Sequence, residues 1–203
     1  QEMKKLRIFS LIIKKKLIIG FSIILILIFG YFLLKDMNEQ NKIKLANQFN
    51  KTIINFKTED KQVAIDQLTK LINENDATYS PLALYFLIDN NLIENKNEIN
   101  IFFDELIDET NLDDEITNLI IYKKALFNAE FSTENDLLQI LNPIINSESI
   151  WKSHSLYLLA EYFYSKNEKK KSKEFFSQIL TLTNSNNEIK LEAQKRINRD
   201  FSE

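Results

Sequence analysis

The stretch WKSHSLYLLAEYFYSKNEKKKSKEFFSQIL, Trp151 to Leu180, holds the reading on which the fold turns. Two helical apolar patterns, predicted over 150–166 and 168–183, are separated only by a polar break near Asn167. Ala160 and Phe163 mark the inward face of the first helix. Ser172, Phe176 and Ile179 mark that of the second, a small residue followed by two larger ones one turn apart. A connection this short folds the second helix back on the first. The pair has too little apolar surface to be stable alone and needs neighbours to stack on.

Moving upstream, the second-helix pattern recurs as Leu137-Leu141-Ile144, Ile99-Phe103-Leu106 and Ala64-Leu68-Leu71. The four starts are spaced 35, 38 and 35 residues apart, a helix-pair period near that of tetratricopeptide repeats. Ala83 with Phe86, Ala125, and Ala160 with Phe163 take the matching places in the first helices, where small residues let helices approach closely. The pattern predicts helices near 37–57, 60–74, 80–93, 96–109, 113–131, 133–146, 150–166, 168–183 and 187–200. Caps are expected from Asp60, Ser80 before Pro81, Asp113, and Thr133 with Asp136 as a capping box. The fold class is therefore all-α: a solenoid of about four degenerate repeats.

The chain has two glycines, Gly20 and Gly30, and no cysteine. Beyond Gly30, then, a glycine-rich phosphate loop, a dinucleotide-binding turn and a nucleophile elbow are all excluded. Thiol chemistry, disulfides and cysteine-ligated zinc are excluded too. Ile, Asn and Lys are abundant, which reflects composition bias more than function.

A different pattern occupies KKKLIIGFSIILILIFGYFLLKD, Lys14 to Asp36. Residues 17–34 hold no charge, and fourteen of the eighteen are Leu, Ile or Phe. Such a run is about 27 Å of helix, close to the ~30 Å hydrocarbon core. It lacks the polar stripe of a soluble helix, and no small-x-small cleavage site follows it. We read 17–34 as an uncleaved transmembrane helix. Lys4, Lys5, Arg7, Lys14, Lys15 and Lys16 precede it against the single acid Glu2. The basic tail, 1–16, is then cytoplasmic and the repeat domain, 35–203, is translocated; in a bacterium it is periplasmic, held by the inner membrane. The chain carries −3 overall and the tail +5, so everything after Lys16 carries −8, which argues against nucleic acid or anionic lipid as partner.

The layout resembles that of the YfgM-like, tetratricopeptide-repeat-like inner-membrane proteins, in particular their alphaproteobacterial branch. The residues that carry the resemblance are Leu141-Asn142-Pro143-Ile144, Trp151-Lys152, and the helix Ser155-Leu156-Tyr157-Leu158-Leu159-Ala160. The chain departs from that family in lacking glycines at its inter-helix turns and in having Lys at 152 where Arg is usual. The resemblance implies an accessory subunit of the Sec translocon that works beside periplasmic chaperones. An envelope-assembly adaptor for cell division or cytochrome maturation is the alternative, and a cell-wall or peptide-processing enzyme a minor one.

Catalytic chemistry finds little support in the residues. His154 is the only histidine and has no second histidine or cysteine to work with, so it reads as solvated or groove-lining. The acidic stretch 104–115 lacks the glycine and ligand spacing of a calcium loop and reads as a helix end, a cap and a solvated face. Nothing calls for a cofactor or a metal. Lys169, Lys170, Lys171 and Lys173 read as a solvated turn, or as a contact for an acidic partner. With Ala160 and Ala125 packing inward, Tyr122, His154, Tyr157, Glu161 and Tyr164 fall on the opposite stripe, the candidate protein-binding groove. Trp151 and Pro143 are expected to pack between the third and fourth repeats.

Overall fold

The computed structural model describes residues 2–57 and 60–201, with side chains from Gly20 onward except those of Ser22, Ile23, Thr58 and Glu59. Among them are nine helices and no strand, divided into two units, Gln1–Ile54 and Asn55–Glu203.

The first unit is almost entirely α1 (Glu2–Asn55), a continuous helix. The helix predicted near 37–57 is therefore the end of α1 and not a separate element. No glycine or proline interrupts the chain at Leu34-Lys35-Asp36, and the Gln40 amide donates to Asp36 one turn back at 2.9 Å. From Ile24 to Leu34 every Leu, Ile and Phe is exposed on all sides of the helix. Among the described residues no helix is long and apolar enough to cross a membrane. The predicted span at 17–34 rests in part on Leu17, Ile18, Ile19, Ser22 and Ile23, which lie outside the described side chains, as does the basic tail.

The second unit is a row of antiparallel helices. These are α2 (Lys61–Ile72), α3 (Tyr79–Asp89), α4 (Lys96–Glu109), α5 (Asp114–Asn128), α6 (Glu134–Ile145), α7 (Lys152–Ser165), α8 (Lys169–Thr181) and α9 (Asn187–Asp200). Each packs on its neighbours in sequence, and α7 also touches α5 and α9, so the hairpins stack. All twelve residues of the recurring second-helix pattern are buried, none more than 3% exposed. Each large one stabilises the stack by roughly 1.5–3 kcal/mol. Small residues set the spacing: Ala83, Ala125 and Ala160 are fully buried, and the Ser172 hydroxyl donates to the Ala160 carbonyl at 2.8 Å where α8 crosses α7.

The missing turn glycines are replaced by asparagine. Asn75, Asn91 and Asn167 adopt φ of 50°, 50° and 62°, the left-handed region that asparagine tolerates better than other non-glycine residues. At Asn91 the amides of Leu92 and Asn91 bond back to Leu87 and Ile88, which closes α3 at Asp89, short of its predicted end. Glu168 and Asn167 close α7 in the same way on Phe163 and Tyr164.

At Asn75 a hydroxyl takes over one of the closing bonds. The Asp76 amide donates to Ser80 Oγ at 2.9 Å, and that hydroxyl donates to the Leu71 carbonyl at 2.7 Å. Ser80 is thus a buried bridge inside α3 and not its predicted cap. Asp76 does the capping, accepting from the amides of Thr78 and Tyr79. Asp60 and the Thr133–Asp136 box cap as predicted; Asp113 holds the cap position without a side-chain bond.

Turns alternate between two edges of the stack. On one edge the Glu115 carboxylate accepts from Ser149 Oγ at 2.7 Å, tying the α4–α5 turn to the α6–α7 turn. There too the Asn186 amide of the α8–α9 turn donates to Ser153 Oγ at 3.4 Å. On the other edge the Tyr162 phenol donates to the Ser132 carbonyl at 3.1 Å, and Lys171 pairs with Glu134 at 2.8 Å, joining the α5–α6 and α7–α8 turns.

Candidate functional site

Tyr122 of α5 and His154 of α7 come together, with ring centroids 5.9 Å apart. Trp151 completes the cluster: it stacks on Tyr122 at 5.8 Å and sits 5.2 Å from His154. Its indole N–H donates to the Glu115 carbonyl at 3.0 Å, which fixes the ring across the two hairpins. Trp151 therefore packs between repeats as expected. Pro143 does not; it is exposed in the last turn of α6, where it leaves the Gln139 carbonyl without its intrahelical N–H. All three rings are half-buried. Burial raises the Tyr122 phenol above the ordinary tyrosine range. It lowers the His154 imidazole, against the opposing pull of the Ile150 backbone.

Tyr157, Glu161 and Tyr164 meet α9 instead, so the predicted groove is not one open stripe. Ala193 is fully buried and lets α9 come close. The Tyr157 ring lies 5.3 Å from Phe176, and the Tyr164 ring 5.8 Å from Phe201. Arg196 pairs with Glu161 at 2.8 Å and with Asp200 at 2.7 Å, its guanidinium 4.5 Å above the Tyr164 ring. The Tyr157 phenol is pushed up to about 12, by burial first and then by the charge of Glu161 and a hydrogen bond with it.

Tyr85 of α3 was not among the predicted residues. Its phenol oxygen is buried without a hydrogen-bond partner among the described residues, and burial pushes its pKa up to about 12. Lys123 of α5 sits over its ring at 5.6 Å. Tyr85, Tyr122 and Tyr157 are spaced 37 and 35 residues apart, but Tyr85 follows Ala83 by two residues where the other two precede Ala125 and Ala160 by three.

In the acidic stretch Asp104 pairs with Lys124. No group of three His, Asp or Glu side chains among the described residues is placed to hold a metal ion. Of the lysine run, Lys171 is held by Glu134 and Glu168, while Lys169, Lys170 and Lys173 are exposed. One depression, about 140 Å³, lies between the α6–α7 and α8–α9 turns and includes Lys152 and Thr183. Comparison with protein-family models, with curated proteins and with solved structures finds no match to this chain.

The arrangement suits non-covalent recognition. Tyrosine, tryptophan and histidine faces, held rigid by backbone and ring contacts, offer large contact area at little conformational cost.

Proposed function

We propose that the chain is a non-enzymatic protein-binding scaffold, tethered to the bacterial inner membrane by its N-terminal helix. The observation that carries the reading is the fixed, half-buried cluster Tyr122–Trp151–His154, which two stacked hairpins hold together. The tether is supported by the uncharged run 17–34, by its basic flank and by the all-round exposure of Ile24 to Leu34. In this reading the stack is a tetratricopeptide-like repeat domain on the periplasmic side.

The specific form, an accessory Sec translocon subunit that holds a chaperone or an emerging chain, rests on the family resemblance of the repeats and the anchor. Affinity purification of the full chain from detergent-solubilised membranes tests both levels, with Tyr122→Ala/Trp151→Ala as control. Translocon subunits and periplasmic chaperones recovered by the wild type and lost in the control support the specific form. Division or haem-ligation proteins lost in the control would point to the envelope-assembly adaptor. A set of recovered proteins that is the same for both chains would sink the scaffold reading at this face.

A further inference from the structure

Two turns on opposite edges of the stack carry opposite charge. Asp108, Glu109, Asp113 and Asp114 crowd the α4–α5 turn, all exposed and none in an ion pair among the described residues. Lys169, Lys170 and Lys173 crowd the α7–α8 turn, also exposed and in no ion pair among the described residues, with Lys169 acting on Asp200 at longer range. Charge also segregates along the chain. Residues 55–165 hold seven basic and twenty acidic groups, net −13, while 166–200 hold nine basic and five acidic, net +4.

Part of each cluster runs against its own helix, although Asp113 and Asp114 sit at the start of α5, where the dipole favours anions. α4 ends on Asp108-Glu109 with no basic residue in its last turn, where the helix dipole disfavours anions. α8 opens on three lysines with no acid in its first turn, where the dipole disfavours cations. Of these charges Asp108, Glu109 and Lys170 weaken the helix bearing them with no ion pair inside the chain among the described residues, and such charges mark places where something outside supplies the gain.

We propose that the chain binds a second copy of itself edge to edge, the Lys169–Lys173 turn of one copy against the Asp108–Asp114 turn of the next. Within one copy the two turns face away from each other and cannot meet. Between copies side by side they can, and the lysines of one then face the carboxylates of the other. The contact is heterologous, so it extends into rows unless a rotation closes it. An anionic bilayer would attract the lysine turn but repel the far more acidic remainder of the unit. A second copy matches both.

The test is sedimentation velocity of the full chain in density-matched detergent, at low and high salt. Low salt gives species of two or more chains; high salt, which screens exposed pairs, gives single chains. Lys170→Glu/Lys173→Glu weakens association at least tenfold, and so does Asp108→Lys/Glu109→Lys. An equimolar mixture of the two variants associates again, because each retains the edge the other has lost. Both reversals suit the helix dipoles, so neither variant melts below the wild type, and a loss of association cannot be put down to misfolding. Single wild-type chains at low salt, association indifferent to either reversal, or a mixture that stays monomeric would each overturn the proposal.

Discussion

The two ends of α7 use the same residue types for different work. At its start Trp151 and His154 meet Tyr122 across a hairpin boundary and keep part of their ring surface open. Toward its end Tyr157, Glu161 and Tyr164 are engaged by α9 and by Phe176 of α8. An aromatic stripe on a repeat helix is thus a recognition surface where the stack leaves it open and a packing surface where the next helix arrives. A small residue on the incoming helix, Ala193, makes that arrival possible.

The contrast breaks most severely at Phe176, which is fully buried and touches both Tyr157 and Phe201. Phe176→Ala is expected to destabilise the repeat unit by about 3–5 kcal/mol, read from urea unfolding followed by circular dichroism. Arg196→Ala is expected to cost about 1–3 kcal/mol. It removes the ion pairs to Glu161 and Asp200 and the contact over Tyr164, but Glu161 is 38% exposed and solvent screens part of the loss. Hydrogen exchange would then speed up in α9 while α5 and α6 keep their protection. Equal acceleration everywhere would mean that α9 is not a separately seated element.

That α9 exists was legible in the sequence; that it engages half of the predicted groove was not. Apolar spacing reports which face of a helix turns inward, and on that basis the second-helix positions from Ala64 to Ile179 were read correctly. It says nothing about which neighbour covers the remaining face. Arg196, predominantly polar by type, is only 11% exposed because two carboxylates and two rings surround it, a constellation assembled from α7, α8 and α9. Ser80 misled for a related reason. Serine before proline is a common helix start, but here its hydroxyl completes a turn closed by a non-glycine residue, and local sequence does not encode that. Tyr85 is out of register with Tyr122 and Tyr157 relative to the inward alanines, so the repeat pattern does not single it out.

The open half is sharpened by pairing two alanine substitutions. Tyr122→Ala should lower affinity for a bound client about tenfold, or ~1.4 kcal/mol, while changing stability by only about 1 kcal/mol. Tyr164→Ala should do the reverse, loosening α9 while leaving the client's affinity within about twofold. Calorimetric titration of both variants beside thermal melts separates the two effects. Similar affinity losses in both would mean that the stripe acts as one surface after all.

The smallest expected effect distinguishes the halves by pH. Burial lowers the His154 imidazole, so the unfolded chain, with histidine near its ordinary ~6.5, takes up a proton before the folded one does. Stability from this residue is fully present above about 6.5 and is lost as pH falls through the lowered folded value. Tyr157 responds at the other extreme. Its phenol is held neutral up to about 12, so between its ordinary value near ~10 and there, the unfolded chain loses the proton first and stability falls as pH rises. His154→Gln should therefore flatten the acid side of the stability profile and leave the alkaline side unchanged, while Tyr157→Phe does the opposite. Chemical unfolding across pH, with each variant compared with the wild type at every point, isolates these slopes from the many carboxylates that titrate lower. If His154→Gln left the acid slope intact, the imidazole would be as solvated in the folded chain as in the unfolded one.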